Sequence, residues 1–201
     1  MSFWDKVAGI YDISESINGR VYRAMLEGVR QVVPTGARVL DCAAGTGELS
    51  IAAAEKAESV LCTDLSLPML ERAKKKCRQK GLENVSFEER DIFDLDDADN
   101  TYDVVIAGNV LHLLDEPEKA VKELYRVTKC GGKLILPTFM LEENRIALVI
   151  TRLYRLFGFK PHENYTFKSY RKMLEGCGCG PFKLTEIKGL MPVGFAVMKK
   201  I

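Results

Sequence analysis

Long apolar runs are missing from this 201-residue chain: no eighteen consecutive apolar residues occur, so no segment reads as membrane-spanning. The N-terminus, Met1-Ser2-Phe3-Trp4-Asp5, lacks the charged-then-apolar pattern of a secretion signal, and the expectation is a soluble, cytoplasmic protein. Excess charge of one sign is absent too. The formal net charge is +1, with no basic block of the kind that follows a phosphate backbone, so no nucleic-acid partner is expected. The one lysine run, Lys74-Lys75-Lys76, reads as the solvated face of a helix beside Arg72 and Arg78. Histidine is scarce: His112 and His162 are the only two, which shortens the roll of candidate general bases. Six cysteines are scattered without a framework. Cys177-Gly178-Cys179 has no second pair at zinc-ligand spacing, so no metal is expected.

What is present is an α/β alternation built round one turn. Val39-Leu40-Asp41-Cys42-Ala43-Ala44-Gly45-Thr46-Gly47-Glu48 reads as a short apolar strand that breaks through very small side chains into a helix over Leu49 to Ala57. Such a turn lets a ligand lie against bare backbone, and the helix start adds free N–H groups. Asp41 at the strand end disfavours a pyrophosphate and favours a cationic amino group. The spacing differs both from a P-loop and from the dinucleotide G-x-G-x-x-G.

Further strands follow in order, over Ser59 to Thr63, Val85 to Glu89, Tyr102 to Ala107 and, after a Gly-Gly turn, Lys133 to Pro137. The second ends in Asp64, seventeen residues beyond Gly47, where a doubly wound sheet brings an acid beside the first turn and against the hydroxyls of a ribose. Ser66 reads as the cap of a helix carrying Met69 and Leu70 on its apolar side. The third strand runs out through Arg90-Asp91-Ile92, and the fourth through Gly108-Asn109-Val110-Leu111-His112. Polar or acidic residues at successive strand ends define one crevice. The expected fold is α/β, a Rossmann-like, doubly wound, mostly parallel seven-stranded sheet. Its last strands, Lys183 to Lys188 and Gly194 to Lys199, form an antiparallel hairpin.

On these motifs, residues 36 to 140 resemble the class I S-adenosylmethionine (SAM) methyltransferases, and Ala-x-Gly-Thr-Gly resembles the branch of ubiquinone/menaquinone C-methyltransferases and related small-molecule enzymes. Most of the superfamily has Gly at the position of Ala43, and Cys130-Gly131-Gly132 stands where Pro-Gly-Gly is usual. The resemblance implies SAM as cofactor and S-adenosylhomocysteine as product. Asp41, Ala43, Gly45, Thr46 and Gly47 would hold the methionine part, with Thr46 against it. Asp64 would take the ribose hydroxyls, with Leu65 and Met69 beside it. Asp91 and the Ile92 backbone would face the adenine, and Gly108-Asn109 would line the side near the methyl. Neither an Asn/Asp-Pro-Pro-Tyr/Phe motif nor a Pro-Cys pair is present, so the acceptor is expected to be a small molecule or a lipid-like compound.

Methyl transfer from a sulfonium requires positioning and exclusion of water, and a strong base only for carbon or weakly acidic hydroxyl acceptors. His112, at the mouth of the crevice, can remove an acceptor proton or shape the pocket. Tyr11, in Tyr11-Asp12, matches a tyrosine that folds over the cofactor in relatives, and reads equally as a helix-boundary residue with a wet hydroxyl. The chain is read as one domain over 1–201: a helical cap over 1–33, the SAM-binding core over 36–140, a lid insertion over 141–165, and a closing helix and hairpin over 166–201. The arginine-rich apolar segment from Glu142 to Phe157 reads as part of that lid, as a helix packed on the core, or as a membrane-surface helix. A non-catalytic SAM-binding module and a nicotinamide-dependent oxidoreductase are the rival functions. Asp41 and the missing third glycine count against the second.

Overall fold

A computed structural model describes residues 18–156 and 161–201. The elements run α1 (Gly19–Val32), β1 (Arg38–Cys42), α2 (Glu48–Ala54), β2 (Ser59–Asp64), α3 (Leu67–Gln79), β3 (Val85–Glu89) and β4 (Tyr102–Ile106). A single 3-10 turn (Leu111–Leu113) precedes α4 (Pro117–Val127), β5 (Thr128–Phe139), α5 (Arg145–Leu156), α6 (Phe167–Gly176), β6 (Phe182–Ile187) and β7 (Val193–Lys199). The sheet order is β3-β2-β1-β4-β5-β7-β6, with β7 antiparallel to both neighbours and every other pair parallel. This is the expected Rossmann-like, doubly wound architecture.

A sheet covered on both faces needs strands that are apolar on both sides. Along β1, Val39 belongs to the core shared with α1 and α2, while Leu40 belongs to the core shared with α4 and α6. Val104 and Val105 of β4 divide in the same way, as do Ile135 and Leu134 of β5. Helix α1 turns Val21, Met25 and Val29 inward, and Gly28 lets it lie against Phe195: a β-carbon there would stand 2.8 Å from the ring.

Parallel register sets the crevice. Asp41 pairs with Cys62 on one side and Ile106 on the other. Asp64 and the Gly108-Asn109 pair therefore emerge just beyond Asp41 at the same sheet edge, where the order reverses between β1 and β4.

Several local expectations are corrected. The fifth strand begins at Thr128, not Lys133, because Cys130-Gly131-Gly132 is no simple turn. It is an irregularity in the strand, pairing with the chain end: Gly131 N–H donates to Lys200 C=O (2.9 Å) and Lys200 N–H to Gly132 C=O (3.0 Å). Ser66 holds the N-cap position of α3 without a side-chain capping bond, whereas Thr166 caps α6 in a full capping box with Ser169. The acidic stretch from Asp94 to Asn100, though mostly exposed, is tied down. Arg126 donates to the carbonyls of Leu95 and Asp97 (2.7 Å each) and to Asp99, while Arg90 pairs with Asp97. No helix of the described residues is long and apolar enough to cross a membrane.

Candidate functional site

The turn after β1 takes a backbone that few side chains tolerate. Ala43, Gly45 and Gly47 have φ of 51°, 56° and 80°. A left-handed conformation at Ala43 explains why glycine is the usual residue there. Gly47 is required twice over. Its φ is positive, and a β-carbon on it would lie 2.7 Å from the Ala73 β-carbon. That bare contact lets α3 press against the turn. A bond from Ala44 N–H to Thr63 C=O (2.9 Å) ties the turn to β2.

Asp41 is fully buried at the end of β1. Ser50 Oγ donates to its Oδ2 at 2.6 Å, and among the described residues its Oδ1 is buried with no hydrogen-bond partner. Burial raises the carboxyl pKa to about 7; the Ser50 bond opposes the rise and nearby Asp64 adds to it. A second acceptor without a donor lies on the adjacent strand end. Asn109, at φ 54°, buries its Oδ1 unpaired while its N–H donates to Pro137 C=O at 2.7 Å. Gly108 before it allows a close approach of Leu49, whose Cδ1 would stand 2.2 Å from an added β-carbon.

Asp64 accepts from Gly45 N–H through Oδ2 and from Ser66 N–H through Oδ1, both at 2.8 Å. It thus braces the glycine turn against the start of α3. Leu65 beside it is exposed, while Met69 is buried. Asp91 is exposed and its Oδ1 accepts Phe93 N–H at 3.0 Å, while the Ile92 side chain is buried in the core. Thr46 is buried. Its Oγ1 accepts from Lys76 Nζ at 2.9 Å, and the same ammonium donates to Glu48 Oε1 at 2.7 Å. The reading of Lys74-Lys75-Lys76 as wholly solvated therefore fails at Lys76. It follows Ala73 by one helical turn and precedes buried Cys77, so the Gly47–Ala73 contact carries it inward. Ser50 was likewise missed: nothing in its sequence surroundings separates it from any helical serine.

His112 is buried in the 3-10 turn, edge-on to Phe139 with ring centroids 6.1 Å apart. Burial pushes its pKa down to about 3, leaving a neutral and weakly basic ring near pH 7. Its carbonyl accepts from the N–H groups of His162 and Glu163 at 3.0 and 3.1 Å, and His162 Nδ1 lies 2.6 Å from Asp115. Tyr11 lies outside the described residues, as does part of the expected lid, residues 157–160. Among the described residues no group of three or more His, Cys, Asp or Glu is placed to hold a metal.

A methyltransferase domain model matches residues 39–132. Over those residues the chain is similar to a methyltransferase domain. It is 36% identical over 142 residues to a demethylmenaquinone methyltransferase of Renibacterium salmoninarum, covering 69% of this chain and 57% of that protein. A phosphatidylethanolamine N-methyltransferase of Cereibacter sphaeroides is 37% identical over 102 residues, half of each chain. The chain thus spans about half the length of these relatives. In fold, the chain matches a SAM-dependent methyltransferase of Thermotoga maritima, described as a possible histamine N-methyltransferase. The TM-score is 0.76 at 20% identity, over 98% of both chains. The demethylmenaquinone methyltransferase belongs, by its name, to the branch that the turn motif resembles.

Proposed function

We propose that this chain transfers the methyl group of SAM to a small, largely apolar or lipid-like acceptor. One observation carries the cofactor assignment. Asp41 Oδ1 and Asn109 Oδ1 are buried acceptors with no donor among the described residues, on neighbouring strand ends beside a turn of bare backbone. Buried acceptors left without donors cost about 1–3 kcal/mol each, a cost that a ligand ammonium lifts. The amino group of the cofactor's methionine part is such a donor, and a phosphate is not.

Each carboxylate oxygen can accept a second hydrogen bond, so Asp64 can take the ribose hydroxyls while still bracing Gly45 and Ser66. The exposed Leu65 and the buried Met69 flank that position, and Asp91 with the Ile92 backbone borders the adenine end. Ala43, Gly45, Thr46 and Gly47 supply the close backbone. Bound SAM supplies a methyl group already activated on a sulfonium. What the chain adds is orientation and the exclusion of water. A ring with a pKa near 3 is poorly matched to general-base work at pH 7, so His112 shapes the pocket wall and anchors the 161–165 segment.

The relatives' names point to a demethylated menaquinone and to phosphatidylethanolamine, both of which support an apolar acceptor. On α5, exposed Ile146 and Val149 with exposed Arg145 and Arg152 support contact with a membrane surface as the acceptor's source. The test is titration with S-adenosylhomocysteine and with NAD, followed by methyl-label transfer to a panel of quinols, phospholipids and amines. Binding of the homocysteine analogue with labelled product supports the proposal. Binding of NAD alone refutes it, and cofactor binding without any product marks a non-catalytic module.

A further inference from the structure

We infer that Ser50 is a positioning residue for the amino group of the cofactor, holding one oxygen of the Asp41 carboxylate and leaving the other to the ligand. The inference rests on the proposed SAM site and adds a residue behind it. Ser50 is the one polar side chain among the buried residues of α2. Its Oγ lies 2.6 Å from Asp41 Oδ2. An ionised carboxylate has no proton to give, so against the charged form the serine must donate. A short bond to a charged oxygen is among the strong ones, and here both partners are fully buried. It ties Oδ2 down. Oδ1 keeps no donor among the described residues, and the carboxylate can turn only by breaking the Ser50 bond.

The same bond decides whether the carboxyl is charged when the ligand arrives. Burial and the Asp64 carboxylate on β2 oppose ionisation of Asp41. The Ser50 hydroxyl and, to a smaller extent, the Ser50 N–H in the first turn of α2 favour it. The thiols of Cys62 on β2 and of Cys42, next along β1, also lie near the carboxyl, and burial keeps both protonated. Among the described residues no cation acts on Asp41, so the hydroxyl is its strongest support. Replacing Ser50 with alanine removes that hydroxyl and leaves the N–H, Asp64 and the two thiols as they are.

The test reads the pH profile of binding. Calorimetric affinities for S-adenosylhomocysteine and for methylthioadenosine, which lacks the carboxylate and the amino group, are measured on wild type, Ser50→Ala and Ser50→Thr over the range from about pH 5.5 to about pH 8.5. In wild type the affinity for the homocysteine ligand should rise through a midpoint at about 7, the value for Asp41. Ser50→Ala should move that midpoint up by about one unit, the scale of one hydrogen bond to a charged group. The loss is then about fivefold at pH 7 and less than about twofold at pH 8.5, where ionisation is regained. Ser50→Thr, which keeps a hydroxyl, should keep the wild-type midpoint. Methylthioadenosine should bind all three proteins within about twofold at every pH, since it has no amino group to meet Asp41. An unmoved midpoint in Ser50→Ala, or an equal loss for both ligands across the range, overturns the inference and leaves the SAM site standing. A wild-type protein that binds neither ligand refutes the site and the inference together. Should Ser50→Ala melt well below wild type, Ser50→Cys, a weaker donor of similar size, gives the same comparison.

Discussion

In the proposed site Asp41 should couple cofactor binding to a proton, and the coupling can be worked out in advance. Its carboxyl is fully buried, with one oxygen held by Ser50 and the other without a donor, and its pKa is raised from 3.8 to about 7. An acid whose folded pKa lies above the unfolded value favours the fold most at low pH, and that contribution is lost as pH rises through the folded value. Over about three pK units the loss reaches at most about 4 kcal/mol in the free protein, between pH 4 and pH 7. Binding runs the other way. A ligand ammonium prefers the charged carboxylate, so affinity for S-adenosylhomocysteine should fall as pH drops below 7. At pH 5.5 only about 3% of the carboxyl is ionised, a weakening of about thirtyfold from the high-pH plateau.

The variant that isolates this effect is Asp41→Asn, which keeps the shape and a hydrogen bond to Ser50 but carries no charge. It should melt higher than wild type at pH 8 and lose the wild-type slope. It should also bind S-adenosylhomocysteine weakly, with little pH dependence, the pattern of a site that gives up stability for function. Melting curves from pH 4.5 to 8.5 give the stability difference, and calorimetry over the same range gives the affinities. Parallel pH profiles of stability for wild type and variant, or a flat wild-type affinity between pH 5.5 and 8, would refute the reasoning.

Gly47→Ala should cost about 2–4 kcal/mol in urea unfolding, the sum of a left-handed alanine and an overpacked contact with Ala73. A loss under 1 kcal/mol would mean that α3 can move away from the turn. Arg126→Met removes the donors to Leu95 and Asp97 carbonyls and should destabilise by about 2–3 kcal/mol, with faster amide exchange over residues 94–99. Unchanged exchange there would show that Arg90, Tyr102 and Glu123 suffice to hold the acidic loop. His112→Phe should keep transfer within about tenfold of wild type, because a ring with a pKa near 3 contributes little as a base at neutral pH. His112 has a folded pKa below its ordinary value, so it withdraws stability as pH falls from 6.5 toward 3. The Phe variant should therefore resist acid better, and loss of transfer by more than about a hundredfold would instead mark His112 as the base.

The parts of the site that could be read from sequence are those that local stereochemistry writes into residue type. Buried parallel strands require near-continuous apolar runs, so β1, β2 and β4 stood out with their ends within a residue or two. Left-handed backbone selects small residues, so Gly45 and Gly47 marked the turn and Ala43 carried a visible strain. Asp41 and Asp64 followed from strand-end position. What could not be read depends on distances between elements. Ser50 matters because α2 places it 2.6 Å from Asp41, and any serine in a short helix looks the same. The start of β5 was hidden because Gly131 and Gly132 signal a turn locally, while their hydrogen bonds go to Lys200 at the far end of the chain.

Lys76 joins the two kinds of information. Alone, three consecutive lysines describe a solvated face, and for exposed Lys75 the description holds. The decisive element lies 29 residues earlier, at Gly47, where the missing side chain was legible as a backbone requirement but also sets how near α3 can come. Once Gly47 is seen to meet Ala73, helical phase carries Lys76 to the Thr46 and Glu48 side chains. One glycine thus fixes the shape of the turn and delivers the cation behind it. Enlarging Gly47 should therefore cut affinity for S-adenosylhomocysteine more than affinity for methylthioadenosine, which lacks the amino-acid group. If Gly47→Ala weakened both ligands alike, the turn's backbone and not the position of α3 would be the link between that glycine and the site.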